Sequence, residues 1–254
     1  MSKETLKEHY ERKYIHERNA LSIEPIRIVQ IPTTRFEAVV KFIPKYFSGG
    51  DILEIGAGNG NVAKTLLSSK INISSYTLGD LSLPRVEGIR RNIEDSRVSV
   101  LQMDAEDIPE SAHGNFDAVI MVALIEHLID PLGAMQRIRQ LLKPSGGFVY
   151  IDTPNIAKYT QRVKLLLGRF PSTSSMNEGL TTYSGEPAGL YDEGHLHYFT
   201  YRSLSLMLTE RCGFSKVVKL GYPAGRKPLG KQAHNYLATI WPELFSELAV
   251  IAYA

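Results

Sequence analysis

Between Leu53 and Gly60 the chain reads Leu-Glu-Ile-Gly-Ala-Gly-Asn-Gly, an acidic residue followed by glycines at alternate positions. Such glycines let a backbone loop approach a ligand closely, and a helix beginning behind them offers unpaired N–H groups. A dinucleotide site wants glycine at the first, third and sixth positions, yet counted from Gly56 the sixth is Asn61. Glu54, two residues ahead of Gly56, is a poor neighbour for a pyrophosphate and a good one for an ammonium group. The loop of Glu54, Gly56, Ala57, Gly58 and Gly60 therefore suits a ligand with an amino-acid end and no phosphate. Two further aspartates, Asp80 and Asp104, each close a strand-like run. His127, His195 and His197 are the residues whose usual pKa suits them to take a proton near neutrality.

The elements that must position these residues alternate regularly. A charged helix is expected over 1–20, with Tyr10 and Tyr14 on one face, either as a staple to the fold or as part of a lid. A helix over Thr33 to Tyr46 should bury Phe36, Val39, Val40 and Ile43. Strands follow at Asp51 to Ile55, Ile71 to Leu78, Val98 to Met103, Phe116 to Val122 and Phe148 to Asp152. Helices lie between them, the one after Gly60 carrying Val62, Ala63, Leu66 and Leu67, the next running from Pro84, another over Pro131 to Leu142. Alternation of this kind implies a parallel sheet covered on both faces. From Thr153 the pattern breaks into a helix at Ile156 to Leu167 and a Ser/Thr/Gly-rich stretch, long enough to be a functional insertion. A helix at Tyr201 to Cys212 and strands at Phe214 to Leu220 and Leu248 to Tyr253 complete the chain.

Leu53 to Gly60 resembles motif I of class I S-adenosylmethionine-dependent methyltransferases. Asp80, Leu81, Asp104-Ala105, Phe116 to Ile120 with Glu126-His127, and Leu141 to Gly147 are similar to that family's later stations, in the same order. The resemblance implies a three-layer α/β Rossmann-like fold, its seven-stranded sheet mostly parallel, the last strand antiparallel between the fifth and sixth. It implies one methyltransferase domain over 1–254: a helical lid over 1–47, a cofactor core over 48–153, an acceptor-side lid insertion over 154–200 after the fifth strand, and a closing unit over 201–254. It also implies S-adenosylmethionine as methyl donor and S-adenosylhomocysteine as product. Asp80 would take the ribose hydroxyls, Leu81 would pack on adenine, Asp104 and Ala105 would read its edge, and Met121 would join the cofactor site.

For the acceptor, Met121 to Leu124 stand where amide-methylating relatives carry Asn-Pro-Pro-Tyr, so that chemistry is disfavoured. Gly189 to Thr200, Arg162 to Phe170 and the last strand resemble a methyltransferase subgroup found with polysaccharide and glycolipid biosynthesis. That points to O-methylation of a small-molecule hydroxyl, such as that of a sugar or lipid-linked saccharide, with one of the three histidines as general base. His127 could instead cap the next helix, and His195 or His197 could sit in the core. Alternative readings are a non-catalytic cofactor-binding scaffold, or a methyltransferase acting on RNA or protein. Glu126-His127 invites a metal, but Ala123 replaces the upstream carboxylate, so no metal is expected. The basic, half-apolar helix over 156–169 raises contact with a membrane or a lipid-linked acceptor.

Bulk properties fit this reading. The 254 residues carry a formal net charge of +2, with 43% hydrophobic and 22% charged residues. That balance is no strong nucleic-acid signature. The single Cys212 allows no internal disulfide, Met1 to Arg18 lacks an apolar signal region, and the run Ala118 to Ile125 is too short to span a bilayer. The expectation is a cytoplasmic protein.

Overall fold

The computed structural model describes residues 3–15, 23–108, 116–173, 194–225, 227 and 229–254. Seven strands form one sheet in the order β3-β2-β1-β4-β5-β7-β6. They are β1 (Gly50–Ile55), β2 (Ile73–Asp80), β3 (Val98–Gln102), β4 (Ala118–Val122), β5 (Phe148–Thr153), β6 (Lys216–Leu220) and β7 (Leu248–Tyr253). The first five pair in parallel, and β7 runs antiparallel between β5 and β6. This is the expected topology.

Residue alternation along the central strands feeds two separate apolar layers. Leu53, Ile55, Val119 and Met121 face one, and Ile52, Ala118 and Ile120 face the other. On the second face pack α2 (Arg35–Tyr46), α3 (Asn61–Leu67) and α4 (Leu83–Asn92), through Val39, Ile43, Val62, Leu66 and Ile89. On the first pack α5 (Pro131–Leu141) and α7 (Tyr201–Leu206), through Met135, Ile138 and Leu204. Helices on both faces of the sheet make three layers.

The helix starts are written in local chemistry. Thr34 caps α2 in a reciprocal box, accepting from Glu37 N at 3.2 Å while the Glu37 carboxylate accepts from Thr34 N at 3.3 Å. Asp130 caps α5 by accepting from Gly133 N at 2.9 Å, with Pro131 in the first turn. Thr200 caps α7, which continues as a π-helical turn over Met207–Arg211.

Several boundaries and faces differ from expectation. The first helix, α1, spans Lys3–Lys13, and residues 16–20 of its expected range lie outside the described residues. Phe36 shares the i, i+3, i+7 face with Val39 and Ile43 yet is 47% exposed, lying in the first turn of α2 at the end of the buried stripe. The insertion contributes α6 (Tyr159–Leu166), while 174–193 lies outside the described residues. Two further helices, α8 (Lys231–Ile240) and α9 (Pro242–Phe245), stand between β6 and β7, where the sequence reading named none.

Candidate active site

Strand order reverses around β1, and in open α/β sheets ligands lie beyond the carboxyl ends of the strands at such a point. There the structure holds a cavity of about 560 Å³, within the size range of small-molecule sites.

One wall comes from the ends of β1, β2 and β3: Ile55, Gly56, Asp80, Leu81, Asp104 and Ala105. Gly56 sits at φ 72°, and its N–H and that of Ala57 both donate to Gly79 O, at 2.8 and 3.0 Å. A side chain at Gly56 would add left-handed strain and meet Leu124 at 3.2 Å. Asp80 ties the wall together: Oδ2 accepts from Gly58 N at 2.8 Å and Oδ1 from Ser82 N at 2.9 Å. A carboxylate has about four acceptor sites, so both oxygens keep capacity for a ligand diol. Asp104 Oδ1 likewise accepts from Glu106 N at 2.8 Å.

Other members of the glycine loop support this wall from behind. Gly60, at φ 79°, starts α3. Gly58 and Ala57 act through their N–H groups, and none of the three is on the cavity lining. Glu54 is also off the lining. Strand alternation turns it away from Ile55, to the face of Tyr76, whose hydroxyl donates to Oε2 at 2.6 Å. Burial pushes the Glu54 carboxyl up to about 8, against the lowering effect of that hydrogen bond. Met121, named for the cofactor, alternates into the first apolar layer and is fully buried there, off the cavity.

The opposite wall is made of side chains far apart in sequence. Tyr10 and Lys13 of α1 line it, with Tyr14 just after that helix and with Arg35, His127 and His195. The Arg85 guanidinium lies 3.3 Å from the Tyr14 ring centroid, a cation–π contact joining the turn after α1 to α4. His127 Nδ1 lies 3.0 Å from Gly194 O and 3.1 Å from the Tyr10 hydroxyl. A carbonyl only accepts, so Nδ1 carries the proton and Nε2 keeps its lone pair. Burial lowers the His127 pKa to about 4, opposed by the Gly194 carbonyl, which keeps the ring neutral at pH 7.

His195 reaches this wall through a backbone latch. Leu196 N and His197 N both donate to Glu126 O, at 2.8 and 3.1 Å, beside the short turn Ile125–His127. The His195 ring then lies 4.8 Å from that of His127, nearly perpendicular, with Nδ1 2.7 Å from Thr173 Oγ1. The same latch carries His197 past the cavity, to lie 6.3 Å from the Phe199 ring, so this third candidate is not brought to the site. The upstream part of the histidine-bearing segment, Gly189 to Glu193, lies outside the described residues.

Glu126 stands behind the histidines and is buried. Oε2 accepts from Thr153 Oγ1 at 2.8 Å, and Oε1 lies 3.8 Å from Arg35 Nη1, too long for a hydrogen bond. Burial raises its pKa, and Arg35 works in the opposite direction. Glu126, His127 and His195 each bring one possible ligand atom into a group spanning 4.8 Å. Ligand atoms about 2.1 Å from one ion lie nearer together than that, so the three would have to close up to hold a metal.

The family model for the methyltransferase domain matches residues 29–219, which include the first wall and all of the second except Tyr10, Lys13 and Tyr14. The chain belongs to the methyltransferase-domain family. Over 110 residues it is 28% identical to a ubiquinone biosynthesis O-methyltransferase of Pseudomonas aeruginosa strain UCBPP-PA14, 42% of this chain and 46% of that protein. The chain thus spans about half the length of the curated relatives it matches. In fold it is similar to an S-adenosylmethionine-dependent methyltransferase from Archaeoglobus fulgidus, with 16% identity and TM-score 0.52, covering 87% of this chain and 95% of that one. It is also similar to phosphoethanolamine N-methyltransferase 2 of Haemonchus contortus, with 19% identity and TM-score 0.52, covering 72% and 38%.

Within this methyltransferase domain, sequence reasoning missed Lys13, Arg35, Arg85, Ala123 and Thr173 on the lining. Ala123 follows β4 with φ 52°, the one positive φ outside glycine among the described residues. Its N–H donates to Asp152 O at 2.8 Å, so the sheet holds a backbone bend that its residue type disfavours. No side-chain signal marks such a position. Arg35 did carry one: it follows the Thr34 cap, so it begins a helix entering the site.

Proposed function

We propose that the chain transfers a methyl group from S-adenosylmethionine to a hydroxyl of a small molecule, a sugar or a lipid-linked saccharide being the leading type. The observation that carries this reading is one cavity with Asp80, Leu81, Asp104 and Ala105 on one side and His127 and His195 on the other. The first group suits a ribose diol and a purine; the second suits a proton leaving an acceptor oxygen. The Gly56 bend supports the fit, since it gives a ligand close access to backbone that a Cβ would crowd.

When bound, the donor supplies a methyl group on a sulfonium. The chain's residues have three tasks. Asp80 and Asp104 hold the donor in place, and α1 with the turn after it, through Tyr10, Lys13 and Tyr14, acts as a lid. A neutral histidine takes the acceptor's hydroxyl proton as the new C–O bond forms. His127 is prepared for this by its Nδ1–H contact with Gly194 O, which leaves Nε2 able to accept. The partial match to quinone O-methyltransferases supports a small-molecule oxygen as acceptor.

The test is production of S-adenosylhomocysteine from S-adenosylmethionine with a panel of sugar and phenolic acceptors. His127→Ala or His195→Ala should lower kcat about 10²–10⁴-fold, the usual contribution of a general base, with donor binding kept. Full turnover in both variants would remove the histidine base. Donor binding without turnover on any acceptor would favour the scaffold reading. The Glu126, His127 and His195 group favours a second version in which a divalent ion orients the acceptor oxygen. Activity abolished by a chelator and restored by added magnesium or zinc would select it; unchanged activity would select the metal-free base.

A further inference from the structure

Helix α6 has its polar residue inside and its apolar residues outside. Gln161 is its buried residue, and Nε2 donates to Ser172 O at 3.1 Å. Val163, Leu166 and Leu167, spaced i, i+3, i+4, share the opposite face and are 50%, 85% and 68% exposed. Leu165 is exposed as well. This outward face is held in place at both ends. Lys158 pairs with Glu247, Tyr159 packs on Phe245 at 5.7 Å, and Lys164 Nζ donates to Ser172 O at 2.8 Å. Phe245 in turn packs on exposed Trp241 at 6.2 Å, beside exposed Ile240.

Charge decides between the occupants of such a face. From Ile156 to Thr173 the sequence carries Lys158, Arg162, Lys164 and Arg169 and no acidic residue. Arg162 and Arg169 are exposed on either side of the leucines. A second copy docking through the same face would set this basic segment against itself, with like charges opposed. An anionic lipid surface supplies both what the leucines lack and what the arginines attract, and tryptophan favours the same interface.

We propose that α6 docks the protein on anionic phospholipid bilayers, with Val163, Leu166 and Leu167 entering the acyl boundary and Arg162 and Arg169 meeting headgroups. This surface is separate from the cavity lining, and the inference holds whichever hydroxyl is methylated.

The experiment is flotation of the full chain with vesicles of phosphatidylcholine alone or mixed with phosphatidylglycerol, at low and high salt. Binding is expected to the mixed vesicles and to fall with salt. The double variant Leu166→Glu, Leu167→Glu should lose bound fraction at least about tenfold, with Arg162→Glu showing a smaller loss. S-adenosylhomocysteine binding and melting temperature should stay unchanged in the leucine variant, since those side chains project from the surface. Arg162→Glu also loses the Nε bond to Ala157 O at 2.6 Å and is read only for its vesicle binding and its salt dependence. The inference is overturned if the native chain does not float with the mixed vesicles, or if the leucine variant floats equally well. It is also overturned if the chain self-associates through this face, with Leu166→Glu abolishing a dimer and no vesicle binding in either form.

Discussion

The two walls of the cavity are built by different means. The Gly56–Asp80–Asp104 wall is made where consecutive parallel strands end, and its side chains are fixed by backbone N–H groups a few residues or one strand away. The His127–His195 wall is assembled from α1, the start of α2, the turn after β4 and a segment about seventy residues later, joined by side chains and a backbone latch. The first wall follows directly from sheet topology. The second depends on long-range packing, and its groups carry the cost of burial: a lowered histidine, a raised Glu126 and an arginine placed against them.

The largest expected effect lies on the first wall. Asp80→Ala removes the acceptor for Gly58 N and for Ser82 N and, on the proposed reading, the two hydrogen bonds to a ribose diol. Charge-assisted bonds contribute about 1.5–3 kcal/mol each, so S-adenosylhomocysteine affinity should fall at least ~100-fold by calorimetry. Asp80→Asn keeps one carbonyl acceptor and should lose less. Equal binding by Asp80→Ala and native protein would move the donor away from this wall.

The same division explains what was legible in the sequence. The sheet order, the glycine bend and the placement of Asp80, Leu81, Asp104 and Ala105 were readable, because each is set within one strand–loop–helix unit. Glu54 and Met121 lie off the cavity lining because a motif fixes position in the chain but not which face of the strand a side chain takes. His127 was readable as a residue just past a strand, whereas separating His195 from His197 required the latch onto Glu126 O. Arg35 and Lys13 reach the site from elements whose only mark in sequence is a cap or a charged helix. Helix α8 went unread because its buried face carries His234 and Ala238 rather than large apolar side chains, and α9 because it spans only Pro242–Phe245.

Glu126 sharpens the comparison on the second wall. Removing one partner of a buried ion pair leaves the other uncompensated, typically at about 3 kcal/mol. Arg35 reaches the cavity and is also held by the charge of Asp152, so Glu126→Ala should cost somewhat less, about 1–3 kcal/mol in urea unfolding. Glu126→Gln preserves the Thr153 contact and should cost less again, with a lower kcat if Glu126 orients the histidines. A native-like melting curve for Glu126→Ala would mean that Arg35 does not depend on it.

The pH dependence sets His127 of the second wall against Glu54, buried behind the first, with opposite signs. His127, lowered to about 4 by burial, stays unprotonated in the fold where the unfolded chain takes a proton below its ordinary value near 6.5. Its contribution to stability is present above pH 6.5 and is lost as pH falls toward 4. Glu54, raised to about 8, keeps its proton in the fold where the unfolded chain releases it above about 4.5. Its contribution is complete below pH 4.5 and is lost as pH rises through 8. Each slope is at most about 1.4 kcal/mol per pH unit within its window. Melting curves from pH 4 to 9 should therefore show His127→Gln flattening the acid side and Glu54→Gln flattening the alkaline side. If His127→Gln left the acid limb unchanged, burial in the second wall would not be holding that ring below its ordinary pKa.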